Sequence, residues 1–275
     1  MNKNIIDNYA RLKPGLLLLP LSILFSIALI LYVKNACNAS AYIAIQKDYF
    51  FYLNAALSEY PNIQYNLTQM GDALIFLSFM SIFIIYAPAI WESLISVSLI
   101  SLVISSTLKN IFAVPRPAAV FDHNSFHIIG RALPGHSSLP SGHSITVFTV
   151  ITVLLFAFMP QKNLHRAGWI FLLIGSGLVL AFTRVAVGAH YPLDVLVGST
   201  LGYFSGLAGI FISRKYPIWS WVRNRKSYPI FILLLMICGI SMVNKIINES
   251  LPIFYLTLAV LVISIYKIIH AYIKK

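Results

Sequence analysis

The stretch Pro14-Gly-Leu-Leu-Leu-Leu-Pro-Leu-Ser-Ile-Leu-Phe-Ser-Ile-Ala-Leu-Ile-Leu-Tyr-Val33 decides the fold class. It holds no charged residue, and Lys34 closes it. A hydrocarbon layer about 30 Å thick takes about 20 apolar residues to cross as a helix. A secretory leader has a shorter apolar core, about 7–15 residues, ahead of a small-residue cleavage site. The stretch therefore reads as a retained first membrane span. Neither Leu16–Leu19 nor Phe231–Met236 alternates apolar with polar residues as a barrel strand would. Backbone in lipid has to satisfy its own hydrogen bonds, which leaves the α-helix.

Outward from this stretch, apolar runs recur near Ala73–Ala89, Leu94–Leu108, Ser144–Met159, Trp169–Phe182, Val195–Ile212, Pro229–Val243 and Ile253–Ile265. Some are shorter than about 18 residues, so their ends are soft, and the runs around Ile85–Ser101 and Phe182–Gly198 leave the count open by one each. The expectation is an all-α polytopic transmembrane helical bundle of roughly eight spans, one integral membrane domain over residues 1–275. Composition agrees: 59% of the 275 residues are hydrophobic, 10% are charged and mean hydropathy is +0.81. A soluble domain carries about 25% charged residues. The deficit excludes a disordered chain, a nucleic-acid tail and an ordinary cytosolic enzyme. No soluble second domain, low-complexity tract or clear repeat is visible.

The formal charge is +12. The basic residues sit between apolar runs, with no basic helix or finger motif, so anionic lipid is the expected partner and nucleic acid is not. Cys37 and Cys238 are far apart and give neither a disulfide framework nor a zinc site. With the N-terminus in the cytoplasm and eight spans, the C-terminus is cytoplasmic too, and 13 of the 20 Lys and Arg residues fall on that side. Trp91, Trp169, Trp219 and Trp221 then fall at cytoplasmic span ends, where interface anchors belong. The outer cations, Lys109, Arg116, Arg131 and Arg184 among them, need a reason other than topology.

Three outer segments supply one. The first is Lys109-Asn-Ile-Phe-Ala-Val-Pro-Arg116-Pro117, the second Pro140-Ser141-Gly142-His143, and the third Thr183-Arg184-Val-Ala-Val-Gly-Ala-His190-Tyr-Pro-Leu-Asp194. Together they offer three fixed cations, two imidazoles, one carboxylate and a helix N-terminus. These parts suit phosphoryl chemistry. Lys and Arg donate to phosphate oxygens, Arg to two at once. Backbone N–H groups at a helix start favour an anion. Ser141 is placed as an N-cap, and Gly142 lets the backbone approach closely. Two histidines allow one nucleophile and one general acid. Asp194, four residues after His190, is placed to hold the imidazole in one tautomer. Pro192 favours a helix start there, with Asp194 in its first turn.

These segments resemble the type 2 phosphatidic acid phosphatase family, part of the wider lipid phosphatase and vanadium haloperoxidase-like group. The family pattern is K-x6-R-P, then P-S-G-H, then S-R-x5-H-x3-D, and the chain meets it except that Thr183 stands where serine is usual. The resemblance covers about residues 109–194. It implies His190 as a nucleophile forming a phosphohistidine. It implies Asp194 as the residue orienting that imidazole, and His143 as the acid for the leaving group and then the base for water. Lys109, Arg116, Arg184, Ser141 and Gly142 would bind the phosphate, and Thr183 keeps a hydroxyl for the same use. It implies no metal and no other cofactor. The runs after Gly209 exceed the usual six-span core, so residues 210–275 are expected to add two C-terminal spans.

The loop with Asp122, His123, His127, Arg131 and His136 reads as solvated, with headgroup contact by Arg131 as the functional alternative. A metal there is the lesser alternative, conceivable because His123 and His127 could share a helix face. Three Asn-x-Ser/Thr triplets, at Asn38, Asn66 and Asn248, fall on the outer side and carry no inference about source. The aromatic stretch Ala41–Leu67 reads either as a helix lying on the outer surface or as packing against the bundle. The expected activity is hydrolysis of a membrane lipid phosphate or diphosphate at the outer face of a plasma membrane, bacterial in kind. Undecaprenyl diphosphate, phosphatidate, phosphatidylglycerol phosphate and a lipid A phosphate are the candidates. Transfer of the phosphoryl group to a second lipid is the alternative enzyme. A phosphate or lipid transporter is the alternative outside enzymes, disfavoured because its site would lie near mid-membrane. Nothing in the sequence speaks for a particular oligomeric state.

Overall fold

The computed structural model describes residues 1–274. A short helix, α1 (Asn2–Ala10), precedes a 3-10 turn and α2 (Leu18–Val33). Three short helices follow, α3 (Ala39–Ala44), α4 (Lys47–Leu57) and α5 (Pro61–Gln69). Next come α6 (Ala73–Met80), α7 (Phe83–Tyr86), the long α8 (Pro88–Phe112) and the single turn α9 (Pro117–Val120). After an irregular loop come α10 (Gly142–Ala157), α11 (Asn163–Ala186) and α12 (Pro192–Lys215). A hairpin of α13 (Tyr228–Asn248) and α14 (Pro252–Ile273) ends the chain. Proline opens α5, α8, α12 and α14, where its missing N–H costs nothing. Asn38, Asp72 and Ser141 cap α3, α6 and α10 with side-chain oxygens. Among the described residues there is no strand, and the chain is an all-α polytopic bundle.

Six helical stretches are long and apolar enough to cross a membrane, the first over Pro14–Val33 and the last over Pro252–Ile273. The other two apolar runs depart from the expected full-length spans. α10 has 16 residues. At a rise of 1.5 Å per residue that is too short for the hydrocarbon layer. Most of its residues are buried among its neighbours, so protein rather than lipid surrounds it. The run over Ala73–Ala89 is broken between α6 and α7. There the Ser81 N–H bonds the Ser78 carbonyl, three residues back, and the Ser81 hydroxyl pairs with Ser264 of α14 at 2.7 Å. The indole of Trp91 takes the Met80 carbonyl at 2.8 Å, so the break leaves that group satisfied. Trp91 is thus no interface anchor: it is buried, with Phe231 against its ring.

The contact that positions everything else is between α10 and α12. Gly198, Gly202 and Gly206 form one stripe on α12. A Cβ on them would fall 2.6 Å from the Ser141 carbonyl, 2.5 Å from the Ile145 carbonyl and 2.5 Å from Thr152 Cβ. Only glycine lets two helix backbones come this close, and small residues four apart make such seams in membranes. The seam sets the N-termini of α10 and α12 side by side, where Ser141 N–H bonds the Asp194 carbonyl at 3.1 Å. α8 packs on α12 as well, with Gly209 pressed against Val97. The motif-bearing ends of α8, α10 and α12 therefore lie at one end of the bundle. The stretch read as a surface helix or as bundle packing is three helices, of which α4 and α5 pack on α11. Tyr42 and Phe50 point inward from it, and Tyr49, Tyr52 and Tyr60 are exposed.

Candidate active site

α8 ends one turn after Lys109, where Ala113 adopts the left-handed conformation (φ 42°) and returns its N–H to the Lys109 carbonyl. A non-glycine residue there is uncommon, and it reverses the chain sharply. The reversed segment pairs with the approach to α10: Arg116 N–H bonds the Gly135 carbonyl at 2.8 Å, and Ser138 N–H the Val114 carbonyl at 2.9 Å. Arg116 is thereby laid beside Pro140–His143. Ser141 is buried, accepts from Ser144 N–H at 3.4 Å and from the Ser144 hydroxyl at 2.9 Å, and caps α10 as its sequence predicted. A Cβ on Gly142 would stand 3.3 Å from Lys109 Nζ, so any other residue there would crowd the ammonium group.

Arg184 lies in the last turn of α11, buried, with one guanidinium nitrogen donating to Thr68 Oγ1 at 2.9 Å. Its Nε is buried with no partner among the described residues. Past α11, Gly188 takes a positive φ of 76°, and its missing Cβ leaves room for the His127 carbonyl. The N–H groups of Ala189 and His190 fold back onto the Arg184 carbonyl. The buried Asn54 amide of α4 fixes this turn, donating to the carbonyls of Val185, Ala186 and His127 at 2.9–3.1 Å.

His190 is fully buried, with Nδ1 3.4 Å from Asp194 Oδ2. That carboxylate is itself held by Ser138 Oγ at 2.5 Å, Tyr42 OH at 2.7 Å and Tyr191 N–H at 3.0 Å. The Tyr191 bond also makes Asp194 the acidic member of the α12 capping box. Burial pushes the His190 imidazole down to about 4, against the pull of Asp194, and Arg184 and Arg116 add to the fall. At neutral pH the ring is therefore uncharged, with Nδ1–H facing Asp194 and the Nε2 lone pair free. Burial and the neighbouring carboxylate hold the Tyr42 phenol well above its usual range, so it stays a donor.

His143 begins α10 and lies within charge–charge range of Arg184, His190, Arg116 and Lys109. It lines a cleft of about 530 Å³ between α6, α8 and α10, together with Gly71, Asp72, Ser98, Ser101 and Thr146. Beside it Lys109, Arg116 and Arg184 gather, and the carboxylate within charge range of Lys109 and Arg116 is Asp194, which already accepts three hydrogen bonds. Gathering like charges in a half-buried site costs free energy unless an anion offsets it.

The structure thus brings together Lys109, Arg116, Ser141, Gly142, His143, Arg184, His190 and Asp194. Two other sequence candidates lie apart. The Thr183 hydroxyl donates to the Leu180 carbonyl of its own helix at 2.5 Å, and Arg131 is exposed on the loop. His123, in irregular chain rather than on a helix face shared with His127, bonds the Ala118 carbonyl. Sequence reasoning missed Ser138, Tyr42, Thr68 and Asn54. Ser138 stood two residues before Pro140, close enough to have been included. The other three lie in a tract whose aromatic residues masked its polar ones.

A helical membrane bundle with a buried cluster of imidazole and cations at one end is a class of protein suited to binding a phosphate-like anion. Residues 89–218 match the family model described as the PAP2 superfamily. The chain is 35% identical to a lipid A 1-phosphatase of Rhizobium johnstonii, over 40% of this chain and 43% of that protein. It is 30% identical to an undecaprenyl-diphosphatase of Sulfolobus acidocaldarius, over 43% and 53% respectively. The matches thus span about half the length of these curated relatives. The crystal structure of Aquifex aeolicus LpxE superposes with a TM-score of 0.50 at 24% identity, covering 61% of this chain and 95% of that one, a likeness of fold.

Proposed function

We propose that the chain is an integral membrane phosphatase that hydrolyses a lipid phosphate monoester or diphosphate through a phosphohistidine on His190. The substrate class is that of undecaprenyl diphosphate, phosphatidate, phosphatidylglycerol phosphate or a lipid A phosphate. The site faces away from the cytoplasm of a bacterial inner membrane, with both termini on the cytoplasmic side. One observation carries the reading: the buried His190 imidazole, backed by Asp194, stands among three cations that have no acidic partner among the described residues. The names of the relatives, lipid A 1-phosphatase and undecaprenyl-diphosphatase, support the substrate class.

Lys109, Arg116 and Arg184 bind the non-bridging oxygens, with the Ser141 hydroxyl and Gly142 N–H adding donors at the start of α10. Nε2 of His190 attacks phosphorus in line, forming a P–N bond as the P–O bond to the leaving group breaks. With the anionic phosphate bound among the cations and favouring the imidazolium, His143 gives its proton to the departing oxygen. The neutral His143 then takes a proton from water, which attacks the phosphohistidine, and inorganic phosphate leaves as the P–N bond breaks. Asp194 stabilises the positive charge that grows on the His190 ring. The cations stabilise the phosphoryl oxygens in both transition states. The cleft that reaches His143 takes the part of the lipid next to its phosphate.

The test is phosphate release from a panel of purified lipid phosphates, with His190→Ala and His143→Ala as controls. Activity of the wild type on at least one lipid, abolished by His190→Ala in folded protein, is the expected result. Wild-type turnover in His190→Ala sinks the mechanism. Loss of activity in EDTA, restored by a divalent ion, would point to a metal enzyme instead. Vanadate is expected to inhibit, as a five-coordinate mimic of the group in transfer.

A further inference from the structure

Residues 109–194 supply the groups used above, but the wall behind His143 comes from the turn between α5 and α6. Gly71 stands so near that a Cβ on it would fall 2.7 Å from the His143 side chain. Three residues earlier Thr68 holds Arg184, and one residue later Asp72 caps α6 through the Leu74 N–H. This segment is gripped from outside by the C-terminal hairpin. Lys245 Nζ meets Asp72 Oδ2 at 2.6 Å, with the ammonium 5.3 Å from the Phe254 ring centre. Glu249 accepts from the Tyr65 hydroxyl at 2.6 Å, and Asn66 Oδ1 accepts from Ile253 N–H at 3.4 Å. Deeper down, the Ser81–Ser264 bond ties the break after α6 to α14. The hairpin, α5 and α6 all lie outside residues 89–218.

Lys245 therefore differs from the three cations of the cluster. It is paired, and the pair is mostly shielded, with side-chain exposures of 31% for Lys245 and 25% for Asp72. Asp72 also lines the cleft beside His143. Without Lys245 the segment loses its firmest strut, and a carboxylate is left bare where a phosphate must pass.

We propose that the C-terminal hairpin is a positioning element of the anion site. Lys245 and Glu249 hold residues 65–72 where Thr68 fixes the Arg184 guanidinium and Gly71 backs His143. The inference rests on the phosphatase reading for its kinetic readout, and on the geometry alone for its binding readout. Both are measured on full-length protein purified in detergent: orthovanadate affinity by titration, and kcat and KM on undecaprenyl diphosphate and phosphatidate.

Lys245→Met is expected to weaken orthovanadate about tenfold and to raise KM more than it lowers kcat, as a displacement of about 1 Å in positioning groups can. Lys245→Arg, which keeps the charge and reach, recovers most of that loss. Arg223→Met breaks the ion pair at the far end of the bundle and is expected to leave orthovanadate affinity unchanged. The proposal is overturned if Lys245→Met binds orthovanadate like the wild type, or if both variants lose affinity in step with their melting temperatures. Full recovery in Lys245→Met combined with Asp72→Asn would reduce Lys245 to a neutralising charge and overturn the positioning role as well. If Lys245→Met does not accumulate, Tyr65→Phe removes the neighbouring strut, and wild-type affinity in that variant overturns the proposal. A wild type that binds orthovanadate but releases no phosphate from either lipid defeats the phosphatase reading on those substrates. The binding comparison still decides the role of the hairpin.

Discussion

The two ends of the bundle treat charge in opposite ways. At one end Arg223 of the α12–α13 link forks onto the buried Glu92 of α8, with a second bond of 2.7 Å. Beside it Arg214 donates to the carbonyls of Tyr9 and Leu12, closing the C-terminus of α1. Each guanidinium there has a partner that explains it. At the other end, beside the Lys245–Asp72 pair, Lys109, Arg116 and Arg184 crowd around two imidazoles, and Asp194, the carboxylate in charge range of Lys109 and Arg116, is engaged elsewhere. A paired charge is part of the scaffold. An unpaired cluster is an unfinished interaction that a ligand completes, and the difference separates the candidate site from the frame without reference to any relative.

Breaking the unfinished end has the largest expected effects. His190→Ala removes the attacking atom, and phosphate release falls to background. Asp194→Asn keeps the shape of the side chain but loses its charge and invites the wrong imidazole tautomer, which costs about 10³–10⁴ in kcat. Because His190 titrates at about 4 in the folded protein, it stays unprotonated as pH falls from 7 to 5. The acid limb of kcat/KM set by this group therefore lies well below the 6.5 of a free histidine, and a limb near 6.5 would count against the buried, neutral nucleophile. Arg184→Lys keeps the charge but loses the fork and the bond to Thr68, and a fall of about 10² in kcat/KM is expected. Ser138→Ala and Tyr42→Phe each remove one of the three hydrogen bonds on Asp194, for about 3–10-fold in kcat by direct assay with KM nearly unchanged.

What the sequence made legible follows from how local each interaction is. The run Pro14–Val33 and the order of the motifs could be read because span length, caps and the His190–Asp194 spacing are written within a few turns of chain. Tyr42, Thr68 and Asn54 could not be read, because their partners lie 152, 116 and 131 residues away and nothing local marks a buried tyrosine, threonine or asparagine as a brace. The break after Met80 was hidden for the same reason. Its stabilisers are Trp91 and Ser264, and in sequence the segment looks like any apolar run. Trp91 was misread as an interface anchor because position near a span end is the only sign the sequence gives, whereas burial against Phe231 is a tertiary fact.

The comparison is sharpened most by the variant expected to change activity least. Arg223→Met takes the partner from Glu92, whose side chain is 8% exposed against 49% for the arginine. The carboxylate left behind is costly to keep charged, but half of the lost guanidinium was already in solvent, so the cost is about 1–2 kcal/mol rather than that of a fully buried pair. A drop of a few degrees in melting temperature, read in detergent by thermal unfolding, is the expected outcome. Glu92 lies near the start of α8 and Lys109 in its last turn, with unbroken helix over the 25 residues Pro88–Phe112. Local repacking around Glu92 is absorbed near Trp91 and Phe231 and does not reach the ammonium group of Lys109. Turnover and orthovanadate affinity in Arg223→Met should therefore match the wild type below the unfolding range. A loss of either, at a temperature where the variant is fully folded, would mean that the paired end is coupled to the site and that the division between scaffold and site is false.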